Sequence, residues 1–176
     1  MSSPVGLTVH IAELRRHVGE QRVVSESIPV AELDSDPLQL VTFGVQMAPD
    51  TDVAVELLLE AISGGISVTG TLHGRWQGIC RRCLGEVSGP LVAEIDETFE
   101  DRPTDGETYL IEGDVIDLIP MMREALLLDL PPAPLCRPDC EGPAPDVVPV
   151  VVPSDESAEP PRDERWAGLD DLRDRL

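Results

Sequence analysis

Lysine is absent from this 176-residue chain: all thirteen basic residues are arginine, set against 34 aspartates and glutamates for a net charge of −21. Such a surface repels nucleic acid at long range. Any RNA contact must therefore be local and cationic, or be made through a basic protein that already sits on RNA. No run approaches the roughly 18 apolar residues that a membrane span needs, so no membrane contact is expected. The N-terminal MSSPVGLTVHIAELRRH lacks the basic-then-apolar order of a signal peptide, which points to a cytoplasmic protein. Catalytic signatures are missing too: there is no HExxH, GxSxG, GxxxxGK[ST] or GxGxxG, and His10, His17 and His73 lie far apart. Neither an enzymatic activity nor a small-molecule substrate is expected. Carboxylates are abundant, but mostly toward the C-terminus, where they signify solvation and not acid–base chemistry.

What is present is strand periodicity. Val5, Leu7, Val9 and Ile11 alternate with polar or small residues, predicting a first strand. Val23 to Val30 and Leu38 to Val45 are weaker strand candidates. Val53, Val55, Leu57 and Leu59 share one face, and Gly64-Gly65 signals a turn into a longer run. There Ile66, Val68, Leu72 and Trp76 face one side, while Ser67, Thr69, Thr71, His73, Arg75 and Gln77 face the other. Beyond Cys80-Arg-Arg-Cys83 the alternation resumes with Val87, Leu91, Ala93, Ile95 and Phe99, giving a long hairpin with the CxxC at its tip. Thr108 to Glu112 reads as a further short strand, with a turn at Gly113-Asp114.

The period then becomes helical. Leu118, Ile119, Met122, Ala125, Leu126 and Leu130 form one stripe, Asp117 is the expected N-cap, Pro120 falls in the first turn, and Pro131-Pro132 ends the helix. From residue 133 to 162 the composition is rich in Pro, Asp and Glu and predicts a disordered acidic linker. At its end Trp166, Leu169, Leu172 and Leu176 recur at helical spacing. The expected organisation is thus a β-rich domain over 1–132, a linker over 133–162, and a short amphipathic helix over 163–176. The fold class is α+β: a mostly antiparallel sheet of about five to seven strands, open or barrel-like, with one packed helix.

Two features carry chemistry. In a reducing compartment four cysteines are ligands or plain thiols before they are disulfides. Cys80-x-x-Cys83 at a hairpin tip is half of a zinc knuckle, because two intervening residues let both sulfurs reach one tetrahedral ion. Cys136-x-x-x-Cys140 would be the other half. Four thiolates would make a closed structural Zn2+ site with no open position for water; thiols without metal are the alternative. Redox catalysis lacks the βαβ setting of a thioredoxin motif. The second feature is the positive charge of Arg75, Arg81, Arg82 and His73, uninterrupted by acidic residues between Ala61 and Glu86. These are candidate phosphate contacts. The competing reading is arginines that are solvated or paired with the acidic tail. The phase of Trp76 favours the core over a stacking surface.

Three segments, in order, resemble the YceD family of bacterial proteins, whose name refers to accumulation of large-subunit ribosomal RNA. They are WQGICRRCLGEVSGPLVAEIDETF, GDVIDLIPMMREALLLDLPPAPLC and DERWAGLDDLRDRL. The middle piece is the most specific, with Asp114, Ile116-Asp117-Leu118, Glu124, Leu130-Pro131 and Pro134-Leu135-Cys136 on the family pattern. The resemblance implies a role in production or stability of that RNA, with Cys80 and Cys83 as a hallmark and no enzymatic activity. Many members carry two further cysteines after the Cys136 and Cys140 positions, whereas this chain reads Cys140-Glu-Gly142-Pro. A four-ligand site here therefore requires pairing across to Cys80 and Cys83. Two functions follow. One is an assembly factor that engages large-subunit ribosomal RNA or a pre-ribosomal particle through the Arg75 to Cys83 loop. The other is an acidic escort that holds a basic ribosomal protein.

Overall fold

A computed structural model describes residues 7–33, 41–42 and 44–143. In chain order these form β1 (Thr8–His10), a 3-10 turn (Leu14–Arg16), β2 (Gln21–Pro29), α1 (Val30–Leu33), β3 (Val41–Thr42), β4 (Val45–Met47), β5 (Asp52–Ile62), β6 (Gly65–Ile79), β7 (Glu86–Glu100), β8 (Tyr109–Leu110), β9 (Val115–Asp117) and α2 (Ile119–Asp129).

The alternation of apolar residues is what builds the sheet. On β5 it buries Val53, Val55, Leu57, Leu59 and Ala61; after the Ser63-Gly64 turn, β6 buries Ile66, Val68 and Leu72 against them. β6 is the spine. Along one edge it pairs with β5 from Gly65 to His73 and then with β4 from Trp76 to Gly78, while β7 pairs along the whole of its other edge. The large sheet has the order β2-β5-β6-β4-β3, with β7 and β8 continuing beyond β6, and β7–β8 is its one parallel pair. α2 packs against β7 and buries Met121, Met122 and Leu126, each such side chain contributing about 1.5–3 kcal/mol by leaving water.

The α+β class is what the pattern predicts, and several details differ. Among the described residues the sheet stays open, because β2, β3 and β8 each pair on one side only. The large sheet has seven strands, within the expected five to seven, and runs of two or three residues such as β8 and β9 pair although they are too short to show a period. The predicted first strand shortens to Thr8–His10 and pairs with β9 in a separate two-stranded sheet. The Val23 to Val30 strand is shifted to Gln21–Pro29, and Val30 opens α1. Of the Leu38 to Val45 candidate, residues 38–40 and 43 lie outside the described residues, as does Val5. The Asp117 carboxylate does accept the first helical N–H, from Ile119 at 3.0 Å, although Leu118 occupies the N-cap position. One compact unit extends through Pro143, so the chain stays with the folded part about ten residues beyond the expected boundary at 132. The remainder of the linker and the 163–176 helix lie outside the described residues. No helix among the described residues is long and apolar enough to cross a membrane.

Trp76 is half-buried and packs against the core, as its phase predicts. Its indole lies against Gly89, its cross-strand partner, where a Cβ would come within 3.0 Å of the ring. The indole N–H donates to the Pro90 carbonyl at 3.0 Å. Pro90 has no N–H to offer, so this edge of β7 is short of one donor and has one acceptor occupied, which blunts it against further pairing.

Two outcomes follow. Gly70 has φ +149°, and a Cβ there would fall 2.1 Å from the Glu56 carbonyl oxygen. Gly70→Ala should lower the urea midpoint at unchanged slope, a loss of about 2–4 kcal/mol. Tyr109 stacks on Phe99 with ring centroids 5.2 Å apart and donates to Glu124 at 2.7 Å. Burial raises its pKa first, followed by that hydrogen bond and the charges of Glu124 and Glu97. The folded state thus favours the neutral phenol, so its contribution is complete below the ordinary phenol value of 10.0 and is lost as pH rises beyond it. Tyr109→Phe should flatten the alkaline limb of a stability–pH curve.

Candidate metal centre

The last rung of the long hairpin pairs Ile79 with Glu86, leaving residues 80–85 as its tip. Here the backbone folds into a knuckle. Cys80 N–H donates to the Gly85 carbonyl at 2.8 Å, and Leu84 N–H donates to the Cys80 carbonyl at 3.0 Å. Leu84 takes the left-handed conformation, φ +61°, and its side chain is 70% exposed. That conformation is costly for a residue with a Cβ, and the tip closure imposes it.

The chain beyond α2 returns to this tip. Leu130 leaves the helix in an extended conformation, and Pro131-Pro132 cannot continue it. Arg81 then fastens the returning segment twice: its N–H donates to the Pro134 carbonyl and its guanidinium to the Pro132 carbonyl, both at 3.0 Å. The Arg82 guanidinium donates to the Cys140 carbonyl at 3.0 Å. These bonds order residues that composition alone assigns to a linker.

The result brings all four predicted cysteines together. Their sulfurs lie within 4.8 Å of one another, with Cys80–Cys140 at 3.8 Å and Cys83–Cys136 at 3.7 Å. A disulfide needs about 2.0 Å, and all four thiols are free. Four sulfurs around an ion at a bond length of about 2.3 Å would stand about 3.8 Å apart in a tetrahedron, so the donor set and its spacing fit a four-thiolate metal site. Cys80 and Cys140 are buried, Cys83 is half-buried and Cys136 exposed. Backbone N–H groups act on this set: those of Cys83 and Cys136 outweigh burial and hold the Cys80 thiol down at about 6. The Cys136 N–H reaches the Cys80 sulfur at 3.4 Å. Cys136 itself is pushed up to about 12, chiefly by hydrogen bonds with the Cys140 and Cys83 thiols and by burial. Crowded thiolates repel, and a divalent cation at their centre would offset that repulsion.

The cationic candidates divide. Arg81 and Arg82 stand at the cluster with part of their donor capacity committed to backbone carbonyls. His73 and Arg75 lie exposed on the outer face of β6, where His73 Nε2 is 3.1 Å from Thr71 Oγ1. The motifs did not announce the carbonyls of Pro132 and Pro134, which hold the cluster closed, nor a row formed by Gln46, Gln77 and Ser88 across three strands beside the tip. Backbone acceptors leave no mark in side-chain identity. The row required the register between β4, β6 and β7.

An open α+β sheet whose longest hairpin is clamped at its tip by a cysteine cluster defines the class. The chain belongs to the YceD family, described as large ribosomal RNA subunit accumulation protein YceD, whose model matches residues 68–173. Uncharacterized proteins of Mycobacterium bovis and Mycobacterium tuberculosis are each 29% identical over 170 residues, covering 93% of this chain and 79% of theirs. One from Mycobacterium leprae is 26% identical over 140 residues, 75% of this chain and 61% of its own length. No solved structure matches the chain.

Proposed function

We propose that this protein is a non-catalytic accessory factor in biogenesis of the large ribosomal subunit, acting in the cytoplasm on the accumulation or processing of its RNA. The observation that carries this reading is membership of a family described by that RNA. The geometry supports a division of labour. Cys80, Cys83, Cys136 and Cys140 hold one structural Zn2+, which supplies cross-linking and no chemistry, since four thiolates leave no open coordination position. His73 and Arg75, with the remaining donors of Arg81 and Arg82, contact phosphate. On a chain of net charge −21 this cationic band confines RNA contact to the tip end of the hairpin and turns RNA away elsewhere.

Protein purified without chelator should carry about one zinc per chain by metal analysis, and strong chelation should lower its thermal midpoint; less than about 0.2 zinc per chain removes the metal from the proposal. Tagged protein should co-sediment with large-subunit particles, fall away steeply between low and physiological salt, and be released by nuclease. Changing His73 and Arg75 to Ala should weaken that association without moving the thermal midpoint. Retention of basic ribosomal proteins after nuclease would instead favour the acidic escort over RNA contact.

A further inference from the structure

Next to the tip, on the face that carries His73 and Arg75, a cavity of about 520 Å3 opens between β4 and the end of the long hairpin. Its lining includes Gln46, Gln77, Ser88, Ile79 and Glu86. The pairing register explains why these side chains meet: Gln46 is opposite Gln77, Gln77 is opposite Ser88, and Ile79 is opposite Glu86. Every second residue of a strand faces the same side, so His73, Arg75, Gln77 and Ile79 follow one another along β6 at steps of about 7 Å.

The chemistry changes in order along that line. Arg75 is exposed, and its guanidinium has no side-chain partner among the described residues. Gln77 and Gln46 each offer an acceptor and two donors, and Ser88 adds a hydroxyl. Ile79 is 53% exposed, an apolar surface at the far end, and Glu86 stands across from it as an acceptor only. A ligand that fits this series has an anionic group at one end and a flat, hydrogen-bonding, partly apolar group at the other. The carboxylate of Glu86 excludes the anion from the far end and accepts N–H groups there.

We propose that this cavity receives a single unpaired nucleobase of an RNA strand whose phosphates run past Arg75 and His73. The inference rests on the RNA reading above and goes beyond it by naming a base pocket and the form of RNA that enters it. Amide side chains read base edges through paired donor and acceptor contacts. Ile79 offers the flat face a surface to lie on. A base inside an A-form duplex cannot enter, because it is held in the stack and paired, with its major-groove edge in a deep, narrow groove, whereas bases in loops, bulges and ends are free to splay outward. At about 520 Å3 the cavity is large enough for such a base together with its sugar.

The test is fluorescence anisotropy at low salt with labelled, unstructured homopolymer RNAs of about eight nucleotides, against a blunt RNA duplex of the same length. Single strands should bind with a preference among the four bases, and the duplex should compete poorly. Gln46→Ala combined with Gln77→Ala should weaken the preferred strand at least about tenfold and level the preference, whereas Arg75→Ala should weaken all four sequences alike. Thermal midpoint and metal content should be unchanged in both variants. Equal binding by the double-amide variant, or a duplex that binds as tightly as the single strand, overturns the base pocket. A protein that binds none of the strands yet co-sediments with large-subunit particles in a nuclease-sensitive way overturns the pocket and leaves the RNA reading in place. Failure of both oligomer binding and co-sedimentation overturns the two together.

Discussion

Closure of the chain between the hairpin tip and the segment after the helix is the constraint on which the rest depends. Cys80 and Cys140 are sixty positions apart in sequence, yet their sulfurs are 3.8 Å apart. Bringing the ends of so long a loop together costs conformational entropy that grows only slowly with length, so a modest set of contacts can hold it. The contacts are of two kinds. Arg81 and Arg82 donate to three carbonyls of the returning segment, and the four sulfurs converge beneath them. Hydrogen bonds at an exposed tip contribute about 1 kcal/mol each, and crowded thiolates repel without a cation between them.

This arrangement changes the meaning of the two tip arginines. In sequence they read as phosphate contacts or as solvated charges, and in the fold they are also the residues that order the C-terminal side of the cysteine cluster. An arginine has five N–H donors, so a guanidinium that gives one to a carbonyl still presents others outward. His73 and Arg75, on the strand itself, carry no such structural duty toward the returning segment. The electrostatic surface is thereby separated into a part that keeps the tip shut and a part that faces solvent. In a chain with 34 acidic residues and no lysine, that separation leaves Arg75 as the arginine beside the tip that has no part in closing it.

The legible parts of the fold are those with a long period. β5, β6 and β7 alternate over 11, 15 and 15 residues, enough to fix their register and to place the CxxC at a turn. The pairing of β6 with two successive strands along one edge was not legible, because β4 contributes only Val45 to Met47 and a three-residue run has no measurable period. β9, Val115 to Asp117, was not legible for the same reason, and only Asp117 was placed, as the helix N-cap. The 133–143 segment misled through composition: Pro-rich chain predicts disorder because it cannot bury enough apolar surface, yet here ordering comes from carbonyls and cysteines. Four cysteines were visible from the start. Their spacing marks two half-sites, Cys80-x-x-Cys83 and Cys136-x-x-x-Cys140, while the long-range contact that closes them into one set is encoded by no local spacing.

The cluster and the base pocket are not independent. Cys80 directly follows Ile79, and Gly85 directly precedes Glu86, so the bond from Cys80 N–H to the Gly85 carbonyl closes the rung on which one end of the pocket is built. Gln77 and Ser88 form the next rung of that face. A tip free to fray would let Ile79 and Glu86 separate first, and a ligand would then have to order them as it bound. A tip held shut has that ordering done beforehand, which is how rigidity at a point with no ligand contact raises affinity at a neighbouring one. On this view the four cysteines serve recognition by stiffening the end of a hairpin.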